Sequence, residues 1–239
     1  FLGEGFSGVL VVGRNAEKLA AMQKQIGKGV ETYAGDLRDA GTPAGAVAKV
    51  VKSFGRLDVV VNAAGNTERC GIADTTPEAF DRLFEVNVKA PLFVMQEAAK
   101  HMVAAKSGVI INVASMLAHG GPPNLATYSA SKSALMTLSR SAANTFKRDG
   151  IRVFCINLGW AMTDGEHELQ TTFHKLPQNW AEDIGARMPF GRLITSDDVA
   201  GLCAFLVSPP AQMMTGAVID YEQMPVGTYK KAHRHGADF

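Results

Sequence analysis

Leu57-Asp58-Val59-Val60-Val61-Asn62-Ala63-Ala64-Gly65 is the stretch on which the fold turns. Its apolar, β-branched run lacks the polar alternation of a half-exposed strand. It therefore predicts a strand buried on both faces, as in a parallel sheet with helices above and below. Small and polar residues follow at once. In such sheets that is where ligands bind, beyond the carboxyl ends of the strands.

Working outward, further strand runs are separated by helical stretches. Upstream, Val9-Leu10-Val11-Val12 reads as a strand ended by Gly13-Arg14-Asn15. Asn15 is a suitable N-cap for a helix over 16–26, with Leu19, Met22 and Ile26 on one stripe. A short strand over 30–34 leads to Gly35-Asp36-Leu37, and a helix is expected over 39–54. Downstream come helices over 78–84 and 88–105, a strand at 109–113, a helix over 125–147 and a strand over 151–156. Pro77 suits the first position of the 78–84 helix. A helix over 197–206 and a short strand at 217–220 close the pattern. Strands alternating with helices predict an α/β fold, a doubly wound parallel sheet in a single domain over 1–239. Phe1–Phe6 reads as the frayed end of a helix. A fold of this kind usually opens on a strand, so a strand and most of a helix are expected ahead of Phe1.

Composition removes several classes of function. The 239 residues are 46% hydrophobic and 20% charged, enough for a sizeable core. Lys+Arg 24 against Asp+Glu 23 gives a net charge of +1, which argues against electrostatic capture of nucleic acid. No apolar run approaches the roughly 18 residues of a membrane helix, and no signal peptide is legible. Cys70, Cys155 and Cys203 are scattered, odd in number and without metal-ligand spacing, which fits a reduced, cytoplasmic protein. The basic stretch Lys230-Lys231-Ala232-His233-Arg234-His235 reads as a solvated terminus.

The chemistry centres on Tyr128-Ser129-Ala130-Ser131-Lys132. Four residues apart, Tyr128 and Lys132 share one helix face. A free phenol has a pKa of about 10. A nearby ammonium favours the phenolate and lowers that value, so the tyrosine could exchange a proton with an alcohol or carbonyl oxygen. The spacing alone also occurs on many exposed helices. Ser115 strengthens it, because it lies just past a strand end, where its hydroxyl can polarise the same oxygen. Asn87 adds a fourth group. Pro91 has no N–H to offer a carbonyl four residues back. Either Asn87 is already helical and its carbonyl is left for a water, or Pro91 simply begins the next helix.

Together these residues resemble the short-chain dehydrogenase/reductase family along nearly the whole chain. Asn62-Ala63-Ala64-Gly65 resembles its Asn-Asn-Ala-Gly motif, with Ala63 in place of the second asparagine. Ser115 stands thirteen residues before Tyr128, as that family's serine commonly does. Tyr128 and Lys132 match its Tyr-x-x-x-Lys motif, Asn87 matches the asparagine that completes a tetrad, and Asp36-Leu37 resembles its adenine-contacting pair. The resemblance implies a Rossmann-like NAD(P)-dependent oxidoreductase with Asn87, Ser115, Tyr128 and Lys132 catalytic. Tyr128 would handle the proton and Ser115 hold the substrate oxygen. Lys132 would lower the tyrosine pKa and hold the nicotinamide ribose, and Asn87 would keep a relay water. Cofactor contacts are expected from Arg14, Asn15, Asp36, Leu37, Asn62, Ala63, Ala64, Gly65, Tyr128, Lys132, Gly159 and Thr163. Family likeness also implies a homotetramer or homodimer, through helices 88–105 and 125–147 with Ala98, Ala130 and Ala134 outward.

Cofactor choice rests on Gly13-Arg14. An acid ending that strand would hold the ribose hydroxyls of NAD. Glycine followed by a guanidinium suits a phosphate instead, so NADP(H) is favoured over NAD(H). The plainer alternative is a solvated arginine after a strand.

Three features depart from the family. Its Thr-Gly-x-x-x-Gly-x-Gly loop has no counterpart in the sequence, and a chain without it and the preceding strand should show a gap in its core and no phosphate cradle. Leu158 replaces the usual proline in Asn157-Leu158-Gly159. Ile219-Asp220-Tyr221-Glu222-Gln223 replaces the usual Val-Asp-Gly-Gly ending and is expected at a subunit contact or a neighbour's pocket. Residues 159–190 have poor periodicity and read as a substrate lid. Glu166, His167, Glu168, His174, Gln178 and Trp180 there suit a hydroxylated small molecule such as a sugar, polyol or hydroxy acid, and their spacing makes no metal site. Met116, Leu117 and Met162 suit an apolar pocket equally. The rival to an oxidoreductase is a catalytically silent dinucleotide-binding or scaffold protein. An epimerase or dehydratase is disfavoured by the short chain.

Overall fold

Each apolar run becomes a strand, and all strand pairings are parallel. The computed structural model describes residues 1–226, so the basic stretch at 230–235 lies outside the described residues. Strand β1 (Val9–Gly13) pairs with β2 (Val30–Ala34). A four-stranded sheet runs β3 (Val59–Asn62), β4 (Gly108–Val113), β5 (Ile151–Leu158) and β6 (Val218–Tyr221), in that order. Between strands run α1 (Ala16–Ile26), α2 (Gly41–Phe54), α3 (Pro77–Phe84), α4 (Ala90–Ala105), α5 (Ala126–Phe146) and α8 (Ser196–Val207). Two short helices, α6 (Asp164–Glu168) and α7 (Trp180–Gly185), lie between β5 and α8.

The two-residue period of β4 builds both cores. Ile110 faces Met95, Ala98 and Met102 of α4 and Ala143 of α5. Its neighbours Val109 and Ile111 point the other way, toward Cys203 and Leu206 of α8. All six β4 residues are buried, and each large aliphatic side chain so covered contributes about 1.5–3 kcal/mol. Asn62 and Asn112 tie β3 to β4 by a 2.8 Å side-chain bond, and Asn112 also donates to Ser139 of α5 at 2.9 Å.

Between β1 and β3 the sheet is interrupted. The two strands share no hydrogen bonds. A cavity of about 340 Å³ separates them, walled by Leu10–Val12, Val59–Val61 and the α2 residues Ala46, Val47 and Val50. β3 is consequently only half-buried over Val59–Val61, where double-sided burial was expected.

Several local expectations change. Phe1–Phe6 contains a short 3-10 turn, Leu2–Glu4. Asn15 does cap α1, accepting from the Lys18 N–H at 2.9 Å, but Ile26 at the end of the stripe is exposed. In α4 the inward stripe runs Pro91, Met95, Ala98 and Met102, which leaves Leu92 to one side and exposed while Ala98 is fully buried. Ala98 therefore cannot lie on an outer face. Asn87 sits in a π turn, Glu85–Lys89, that runs on from α3 into α4. Pro91 thus lies within a continuing helical path and does not start a separate one.

Candidate active site

Ser115 enters the site because β4 ends two residues before it. Its extended backbone turns the chain into a 3-10 turn, Met116–His119, and its hydroxyl accepts from the Leu117 N–H at 3.2 Å. Tyr128 and Lys132 come from the first turns of α5. Ser115, Tyr128 and Lys132 line one cavity of about 750 Å³, together with Ala63, Gly65, Gly159 and Thr163. All three are buried.

Lys132 reaches back under the sheet and donates to the Val113 carbonyl at 2.9 Å. Its ammonium lies 5.9 Å from the Tyr128 ring centroid. Burial pulls its pKa down to about 8. Tyr128 moves upward, not downward. Burial raises its pKa, the Ser115 hydroxyl pulls it partly back, and the carboxylate of Glu166 raises it further. The expected lowering by Lys132 is not what the structure shows, because desolvation of the phenol dominates.

Asn87 is fully buried and holds the loop after β3. Its Oδ1 accepts from the Asn66 N–H at 2.8 Å, while its Nδ2 donates to the Asn66 carbonyl at 2.8 Å and to Ser131 Oγ at 3.0 Å. A Cβ on Gly65 would lie 3.5 Å from Lys132 Nζ and 3.7 Å from Asn87 Oδ1. The strand end Asn62–Gly65 is therefore pressed against the Asn87–Lys132 wall, and glycine keeps the approach open.

The remaining cofactor candidates divide. Asn62, Ala63, Ala64 and Leu37 line the cavity between β1 and β3. Asp36 is held by Arg38 through two nitrogens, the closer contact 2.7 Å, which keeps its carboxyl below the usual range. Arg14 is exposed and near enough to add to that lowering. Asn15 spends its side chain on the α1 cap, and Thr163 caps α6 by accepting from Glu166 N–H at 3.1 Å.

Residues 159–190 are ordered around Trp180. Its ring stacks on Trp160 with centroids 5.8 Å apart, and its Nε1 donates to His167 Nδ1 at 3.2 Å. Glu166 accepts from Trp160 Nε1 at 2.9 Å and from Gln170 Nε2 at 2.7 Å. Both Glu166 and Gln170 line the cavity. The segment after β6 also closes on its own chain. Glu222 and Met224 line the same cavity, and Gln223 donates to the Arg192 carbonyl at 2.7 Å and accepts from the Phe190 N–H at 2.8 Å. Among the described residues no group of three His, Cys, Asp or Glu could hold a metal. Sequence reasoning passed over Arg69, which lines the cavity from the loop after β3. Its one legible signal was its place four residues after Gly65.

Residues 3–222 match the family model described as enoyl-(acyl carrier protein) reductase. The chain belongs to the short-chain dehydrogenase/reductase family. It is 33% identical over 210 residues to the sorbitol dehydrogenase of Cereibacter sphaeroides, covering 85% of this chain and 81% of that one. Among solved structures it resembles an NAD⁺-bound xylitol dehydrogenase, with TM-score 0.80 and 26% identity over 93% and 91% of the two chains. It also resembles ElxO with NADP bound, at TM-score 0.79 and 27% identity over 89% and 86%. As a family member this chain is an NAD(P)-dependent oxidoreductase of alcohols and carbonyls with a Rossmann fold.

The chain's residues fit the reactive end of a dinucleotide. Gly65 leaves room beside the Lys132 ammonium, and Gly159 and Thr163 border the same cavity. No glycine-rich loop lines the cavity between β1 and β3.

Proposed function

We propose that the chain interconverts a secondary alcohol and its ketone, with a polyol or hydroxy acid as the substrate class, at the cavity bordered by Ser115, Tyr128 and Lys132. The observation that carries this is the convergence of those three side chains on one cavity, with Asn87 fixing the loop opposite. A bound nicotinamide supplies the hydride chemistry. Tyr128 exchanges the proton with the substrate oxygen, giving it to a carbonyl in reduction and taking it from an alcohol in oxidation. Ser115 orients that oxygen. Lys132 anchors the ribose side, and Asn87 holds the Gly65–Asn66 turn against it. Residues 159–190 act as the lid, with Trp160, Glu166 and Gln170 over the substrate.

Arg14, exposed just after β1, supports NADP(H) over NAD(H), because a guanidinium there suits a 2′-phosphate. Three buried free cysteines support a reducing, cytoplasmic setting. Burial pushes Cys155 and Cys203 up to about 11, which keeps them as thiols. Among the described residues no helix is long and apolar enough to cross a membrane. The partner we infer is a second copy, in a homodimer or homotetramer formed on α4 and α5.

Tyr128→Phe is the decisive variant. Its turnover of a polyol or ketone panel should fall at least about 10³-fold, while fluorescence titration shows NADPH bound as in wild type and more tightly than NADH. Turnover retained by the variant would remove Tyr128 from proton transfer. Equal NADPH and NADH affinity would end the cofactor preference.

A further inference from the structure

Arg69 is the anomaly of the cavity. Among the described residues, the side chains of five arginines make no hydrogen bond or ion pair: Arg14, Arg69, Arg140, Arg148 and Arg187. Four of them are exposed, and Arg69 alone is partly buried. Its Nε is buried without a hydrogen-bond partner. The neighbouring loop shows the contrast, since Glu68 is already taken by Arg82, with Nε to Oε2 at 3.0 Å. A guanidinium partly withdrawn from water and left unpaired is costly. The side chain lines the same cavity as Ser115 and Tyr128, and the adjacent Cys70 packs in one cluster with the Tyr128 ring.

We propose that Arg69 is a specificity residue that pairs with an anionic group on the substrate, so that the preferred substrate is a hydroxy acid or its oxo acid and not a neutral polyol. This rests on the oxidoreductase reading above and narrows it. A planar fork of donors matches a carboxylate bidentately. Leu117, Leu125, Leu158 and Met188 give the cavity apolar walls suited to the rest of such a molecule. The two carboxylates that border it do not take Arg69. Glu166 accepts from Trp160 and Gln170, and Glu222 accepts from the Gln223 N–H. Both come from the segments after β5 and β6, whereas Arg69 comes from the loop after β3.

The test compares 3-hydroxybutyrate and mandelate, each with its primary amide, which keeps the shape and removes the charge. Wild type should favour acid over amide about 10- to 100-fold in kcat/KM. Arg69→Gln should bring that ratio near one. Arg69→Lys, which keeps the charge without the fork, should fall between. Isothermal titration of the same four compounds into wild type and both variants reads the preference independently of turnover. Equal handling of acid and amide by wild type, or a preference that survives Arg69→Gln, overturns the role of Arg69. Failure to turn over acids, amides and xylitol alike, with the binding preference intact, overturns the polyol and hydroxy-acid reading of the substrate and leaves Arg69 standing.

Discussion

Lys132 pays for its position at the residue scale. It is 4% exposed, and burial lowers its pKa from 10.5 to about 8. Between those values the unfolded chain holds the proton and the folded chain does not. Stability from this group therefore rises as pH climbs from about 8 to 10.5, and the penalty is fully present below 8, reaching about 3 kcal/mol. Lys132→Met should flatten the pH dependence of urea-unfolding free energy across that window relative to wild type. An unchanged slope would place the proton uptake elsewhere. Asn87 also has a structural role. Its three side-chain bonds fix Asn66 and Ser131, so it positions the cofactor wall whatever relay it serves.

Elements owe their ends to single residues. Gly150 joins the last turn of α5 to β5 with φ 72°, and a Cβ there would run into the Lys106 carbonyl. Gly150→Ala should lose about 2–4 kcal/mol, combining a left-handed backbone with a clash that only main chain can relieve. A lower urea midpoint with an unchanged m-value would show it, and a midpoint within error of wild type would contradict it. Most elements were legible because their signals are local. β-Branched runs mark β3, β4 and β5, and Thr76, Thr195 and Asn15 cap helices through bonds to residues three positions on. The helices within 159–190 were not legible. They are organised by Trp160 against Trp180 and by the Met162 N–H bonding the Ile194 carbonyl, contacts that no local period encodes.

On the scale of the molecule, α4 and α5 leave an open apolar groove of about 530 Å³, bordered by Leu92, Val103, Leu138 and Phe146. It is the face on which the inferred second copy would sit. Leu92→Asp should shift sedimentation from dimer or tetramer to monomer, since it puts a charge where helix faces must desolvate. Wild type sedimenting as a monomer would refute the assembly. The cavity between β1 and β3 belongs to this scale too. It leaves one edge of each strand unpaired and accounts for the half-exposure of β3.

The sequence by itself determined the parallel α/β architecture, the order of its elements and the spacing of Ser115, Tyr128 and Lys132. Each follows from periods of two or 3.6 residues and from caps acting within a turn. The tertiary structure alone decided how far that site is withdrawn from water. Desolvation of Tyr128 and Lys132 depends on what α5 is packed against, and it reverses the shift that their spacing suggests. It also decided which arginine matters. Arg69 differs from the other unpaired arginines in lining the cavity with its Nε buried and unpaired, and burial is set by neighbours far away in the chain.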